Sequence, residues 1–376
     1  MRLTYIYLQN WKNFSRIAVE LEERAFVVGP NASGKSNLLD AFRFIRDVAV
    51  PEGGLQRAVT DRGGVEVVRF LGAAADAEVV VHVAMEEEDS TTWMYQLAFK
   101  SVQDGTAVLT RECVSKNGAA LVNRPDEDDE NDPRRLRQTS LEQVAANKSF
   151  RTVADFLAQI SYLHLTPAFV RDRERIRPRA ADPLGSDLLD RVVRTPKGAL
   201  EKRMQRINTI LRAALPELDR IVVEGGEGAT PHLWIRFKDW RPTAGAQNER
   251  QLSDGTLRLF GFLWAVLDGD GPLLLEEPEL SLHPGVVRHL ASLICAKSSR
   301  QTIISTHSVD FLSDEGIAPE EVLLLTPTPE GTDVSPASDD AQIRALLEGG
   351  LSIGDAVLPS TAPPRSIDML RAGPES

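Results

Sequence analysis

The chain has 376 residues, 42% hydrophobic and 26% charged, which is ordinary for a globular protein with material for one large or two moderate domains. Lys and Arg number 43 against 55 Asp and Glu, a net charge of −12, so nucleic acid could be held only by a local basic patch and the bulk field favours a protein partner. Two cysteines, Cys113 and Cys295, exclude a disulfide framework or a four-cysteine zinc site, and no apolar run reaches bilayer length, so a cytoplasmic location with no membrane partner is expected.

Short strands are predicted at 3–8, 17–21 and 26–28, the first two separated by a polar turn anchored by Trp11 and Phe14. A helix follows to about residue 48 and stops at Pro51-Glu52-Gly53-Gly54. Alternation then predicts strands at 65–70, 78–84, 92–99 and 107–114, an antiparallel meander. The acidic run 126–132 reads as a solvated loop. A helix capped by Ser140 is expected to reach Ile160, followed by a strand at 162–165 and a mixed-charge run at 171–179.

Residues 184–215 read as one or two amphipathic helices with Leu188, Val192, Leu200, Met204, Ile207 and Leu211 inward. Strands at 221–224 and 233–238 flank a glycine-rich stretch. From 252 onward helices at 257–267 and 286–296 alternate with strands at 273–275, 302–305 and 322–325, which implies a mostly parallel sheet covered on both faces. After Thr326 the composition turns to Pro, Ser, Thr and Asp, and disorder is expected beyond Leu358.

Four segments carry chemistry. Gly29, Pro30, Asn31, Ala32, Ser33, Gly34, Lys35 and Ser36 read G-x-x-x-x-G-K-S between an apolar strand and a helix that continues with Asn37. Such a loop aims backbone N–H groups and a helix N-terminus at phosphate, with Lys35 neutralising charge and Ser36 placed to ligate Mg²⁺. Leu273-Leu274-Leu275-Glu276-Glu277-Pro278-Glu279 is an apolar strand delivering carboxylates to the sheet's carboxyl edge, where metal and attacking water need them. Leu252, Ser253, Asp254, Gly255 and Thr256 enter a helix and offer a second anion-facing N-terminus. Gln301 to Ser308 form a strand that brings His307 to the same edge as the carboxylates.

In this order the motifs resemble the ABC-type ATPase heads of the RecF and structural-maintenance-of-chromosomes (SMC) kind. They are most similar to the branch containing the overcoming-lysogenization-defect (OLD) ATPases. The resemblance implies an α/β P-loop NTPase with an antiparallel β-lobe and an inserted, mainly helical region. Residues 1–115 and 251–326 would be the two halves of the head, 116–250 the insertion, and 327–376 a partly disordered extension. It assigns Glu276 to the Walker B metal carboxylate, Glu277 to the water-orienting glutamate, His307 to the switch histidine and Leu252 to Thr256 to the signature motif acting in trans. Lys35, Glu277 and His307 would be the catalytic set, with ATP as substrate and Mg²⁺ as cofactor. Glu276 stands where an aspartate is usual, and the signature reads Ser-Asp-Gly-Thr. Gln56 and Gln159 are the candidates for the Q-loop glutamine.

The implied function is a slow ATPase that forms head-to-tail homodimers on ATP. It would serve as sensor or scaffold for a separately encoded effector, such as a TOPRIM-type nuclease, in anti-phage defence. A RecF-like repair ATPase clamping duplex DNA and a nucleotide-gated scaffold without hydrolysis are the alternatives.

Overall fold

The computed structural model describes residues 1–102, 105–172, 182–225, 230–238, 245–297 and 300–361. β1 (Arg2–Trp11) and β2 (Phe14–Glu20) form a hairpin, and β3 (Arg24–Val28) leads through the glycine loop into α1 (Lys35–Ala49). Short helices α2 (Leu55–Thr60) and α3 (Val65–Val68) precede a meander of β4 (Val79–Glu86), β5 (Thr92–Ser101), β6 (Ala107–Lys116) and β7 (Ala119–Arg124). β4 pairs with β1, so hairpin and meander close into one six-stranded antiparallel sheet ordered β2-β1-β4-β5-β6-β7. The strand expected at 65–70 is instead α3. Gly63 and Gly64, at φ 91° and 99°, turn the chain through left-handed backbone directly before it.

The acidic run is not a loose loop. α4 (Glu127–Asn131) is closed by a capping box between Asp126 and Asp129. Asp129 is buried and pairs with Arg124 at 2.8 Å, while Arg124 also reaches the fully buried Glu112 at 3.1 Å. Glu112 in turn accepts the backbone N–H of Ser140 at 2.8 and 2.7 Å. The helix expected from Ser140 is confined to α5 (Arg151–Ala158), after a 3₁₀ turn at Ala146–Phe150.

β8 (Ser161–Leu163) follows, then α6 (Pro167–Arg171), α7 (Leu188–Arg194) and α8 (Lys197–Ala214). β9 (Leu218–Glu224), β10 (His232–Phe237) and β11 (Gln247–Asn248) make a small antiparallel sheet. The long helix α9 (Asp254–Leu267) opens the second half of the head, followed by β12 (Leu273–Glu276), α10 (Pro284–Val287), α11 (Leu290–Lys297), β13 (Thr302–Ser305) and α12 (Val309–Leu312). β14 (Val322–Thr328), β15 (Gly331–Pro336), α13 (Ala341–Glu348) and α14 (Ile353–Thr361) complete the described chain.

The central sheet runs β15-β14-β3-β13-β12-β8, parallel except for β15. Its residues alternate between two cores: Val27, Leu274 and Ile303 join the first, while Phe26, Leu275 and Ile304 join the second. Both faces are thus buried, as a parallel sheet requires.

Position 115 falls inside β6, α5 packs on α1, and β8 pairs with β12 in the central sheet. The segment after Thr326 is not a loose extension: β15 pairs along β14, and α14 packs on α12 through Thr361. Residues 362–376, expected as a disordered tail, lie outside the described residues, as does most of the charged run 171–179.

Candidate nucleotide-binding site

Because β3, β8, β12 and β13 are parallel, their carboxyl ends share one edge, and each delivers a polar residue there. Beyond β3 lies the glycine loop. Gly34 sits at φ 101° as the N-cap of α1, and a Cβ there would lie 2.1 Å from the Asn13 amide nitrogen, so only glycine fits. Asn13 donates to the Ser33 carbonyl at 2.9 Å and to Thr332 Oγ1 at 2.8 Å, and accepts from Asn37 Nδ2 at 2.7 Å. Trp11 Nε1 donates to the Asn37 carbonyl at 2.9 Å. The turn between β1 and β2 therefore clamps the loop.

Lys35 Nζ donates to the carbonyls of Gly29 and Pro30, each at 2.9 Å. Burial pulls its ammonium down to about 8, partly offset by Glu277, Glu276 and Glu279. Ser36 Oγ contacts one Glu276 carboxylate oxygen, and the Tyr162 hydroxyl contacts the other. The His164 ring nitrogen Nδ1 lies 3.3 Å from the Glu276 carbonyl. Glu277, at φ 46°, directs its carboxylate to 3.3 Å from His307 Nε2. Burial, with the charge of Lys35, lowers the His307 pKa against the pull of Glu277, so the imidazole is neutral at pH 7.

Glu279 is largely buried, and burial raises its pKa. Its Oε1 accepts from Thr306 Oγ1 at 2.7 Å and from the His307 N–H at 3.0 Å, so it orients the turn carrying that histidine.

The structure thus brings Lys35, Ser36, Glu276, Glu277 and His307 together. Leu252 to Thr256 stand apart: among the described residues no hydrogen bond joins them to the glycine loop. Ser253 caps α9 through the Thr256 N–H at 3.2 Å and remains exposed. Gly255 packs so closely that a Cβ would lie 2.5 Å from the Ser281 carbonyl. Arg171 of α6 holds this loop from the insertion, at 2.7 Å from the Leu252 carbonyl and 2.6 Å from Asp254.

Neither candidate glutamine reaches the edge. Gln56 is bonded to the backbone of Ala107 and Arg137, and Gln159 precedes β8 at the opposite end of the sheet. Tyr162, His164 and Asn13 are not singled out by the sequence. For His164 the available signal is its place in the strand expected at 162–165, shortly before a proline-led helix, whereas nothing in the sequence around Tyr162 marks it.

These features define the class: a P-loop nucleotide-binding head built on a parallel sheet flanked by an antiparallel lobe. A family model described as "AAA domain, putative AbiEii toxin, Type IV TA system" matches residues 24–314, and the chain belongs to this AAA_21 family. The fold is that of SMC-kind ABC-type ATPase heads. An Smc head bound to the C-winged helix domain of ScpA superposes with a TM-score of 0.55 at 14% identity, over 89% of this chain and 98% of that one. An Smc head domain with an extended coiled coil, bound to the C-terminal domain of ScpA derived from Pyrococcus furiosus, gives 0.52 at 13% identity over 93% and 100%. No curated protein matches the chain.

Proposed function

We propose that the protein binds ATP with Mg²⁺, hydrolyses it slowly, and dimerises head to tail as it does so. The observation that carries this reading is the meeting of Ser36 with Glu276, and of Glu277 with His307, on the strand edge beside Lys35. A hydroxyl beside one carboxylate is a sparse, oxygen-only donor set. It fits Mg²⁺, which keeps several waters and arrives with phosphates. When bound, the metal would neutralise charge on the transferred phosphoryl group. Lys35 would leave its carbonyl partners for phosphate, and the loop and the N-terminus of α1 would cradle the anion. Glu277 would orient the attacking water, with neutral His307 beside it as hydrogen-bond partner for the γ-phosphate.

The loop of exposed Ser253 and half-buried Gly255 supports completion of the site by a second copy, since among the described residues no hydrogen bond joins it to the glycine loop. In this reading the ATP-driven dimer is a sensor or scaffold for a separately encoded effector in defence against phage, as in OLD-like systems. Glu277→Gln is expected to abolish turnover and to accumulate an ATP-bound dimer, read by phosphate release and by mass in solution. A variant that hydrolyses ATP at the wild-type rate would remove Glu277 from its role. A wild type with no turnover would leave the nucleotide-gated scaffold.

One observation favours a second reading, in which nucleic acid is held in a RecF-like manner. Arg220 of β9 and Arg236 of β10 lie directly opposite one another, both exposed and neither paired among the described residues. Opposed like charges destabilise a strand pair, and a phosphate backbone would relieve that.

A further inference from the structure

Glutamate at 276 is one methylene longer than the aspartate usual in the family the motifs resemble, and both of its carboxylate oxygens are engaged. One oxygen of Glu276 reaches Ser36 on α1, and the other reaches across to the Tyr162 hydroxyl on the neighbouring strand. β8 pairs in parallel with β12, with Tyr162 opposite Leu274, so the phenol stands beside the strand end from which Glu276 projects. The ring is held from above: the Arg43 guanidinium lies 4.3 Å from its centroid, and Arg43 is 3.5 Å from Asp40. His164, at the end of the same strand, sits 3.3 Å from the Glu276 carbonyl. Three elements therefore converge on one carboxylate: α1, β8 and β12.

We propose that Tyr162 is a positioning residue of the metal site, fixing one oxygen of Glu276 so that the other alone is presented beside Ser36. The inference rests on the reading of Ser36 and Glu276 as the metal-holding pair. A glutamate side chain carries more rotamer freedom than an aspartate, and a free carboxylate can turn both oxygens toward a cation. Mg²⁺ demands near-octahedral geometry and tolerates bidentate chelation poorly, so a donor that occupies the second oxygen sharpens the site. Arg43 contributes by keeping the ring in place and never touches the carboxylate pair itself.

The test is Tyr162→Phe, which keeps the ring and removes the hydroxyl. Mn²⁺ binding to the protein–ADP complex is followed by electron paramagnetic resonance, and ADP binding is followed separately in excess EDTA. Mn²⁺ affinity is expected to fall about tenfold or more, the usual effect of losing an outer partner of a metal ligand. Metal-free ADP affinity and the melting temperature should stay at wild-type values, a split that a general loss of structure would not produce. If Ser36→Ala weakens Mn²⁺ binding and Tyr162→Phe does not, Tyr162 has no positioning role. If neither variant alters it, the metal-pair reading fails and the inference falls with it.

Discussion

Lys35 carries its proton loosely because burial pulls its ammonium down to about 8. Phosphate beside that ammonium favours the charged form, so nucleotide binding raises the value again. The sign follows: below pH 8 the free protein is already protonated at Lys35, and affinity should be flat. As pH rises through 8 the bound state holds a proton that the free state has lost, and affinity should decline, by about tenfold per unit at most. Calorimetry of ADP binding at pH 8.5 in two buffers of different ionisation heat should register net proton uptake. No uptake would mean that Lys35 is not the group meeting the phosphates. At this scale the loop was the most legible part of the sequence, because its glycines, lysine and serine follow from phosphate chemistry alone. Tyr162 was hidden, since nothing in its neighbours in sequence says that its strand will lie beside Glu276.

Among the elements, the acidic segment after β7 shows how burial defeats a reading by composition. Seven polar residues in a row suggest solvent, yet Asp129 is buried with Arg124 and Glu112 in one hydrogen-bonded cluster. A buried charge that loses its partner is strongly destabilising, so Arg124→Ala should lower the unfolding free energy by about 3 kcal/mol in a urea titration. A change near zero would mean that the cluster is not a structural tie. The same cluster ties Ser140, whose N–H is given to Glu112, to β6. The strand alternation of the meander was readable in period two, and so were the apolar strands of the parallel sheet. The α3 segment was not, because Val-Glu-Val-Val also alternates, and only the paired glycines before it decide for a turn.

For the molecule as a whole, an acidic chain with two opposed arginines that have no ion-pair partner among the described residues has a surface that the net charge alone does not describe. Other arginines are engaged: Arg135 pairs with Asp126 and Asp128, and Arg191 and Arg203 with Asp268. If nucleic acid is a ligand, the combined change Arg220→Glu and Arg236→Glu should weaken binding of a labelled duplex and reduce the salt slope by about 2 in log–log terms. Fluorescence anisotropy across a salt series reads both. Unchanged binding, or none by the wild type at low salt, would set the second reading aside. The β9–β10–β11 sheet leads by β11 into the loop that Arg171 braces, so α6 and the small sheet are both tied to the N-terminus of α9.

The Asn13 clamp has a consequence in time. Its amide joins Ser33 of the glycine loop to Thr332 of β15, two partners at opposite ends of the sequence, the second 319 residues from Asn13 itself. On the ribosome the glycine loop emerges early, but its brace must wait until β15 has been synthesised and has paired with β14. A nascent chain therefore carries the phosphate motif long before it carries the finished brace of the glycine loop.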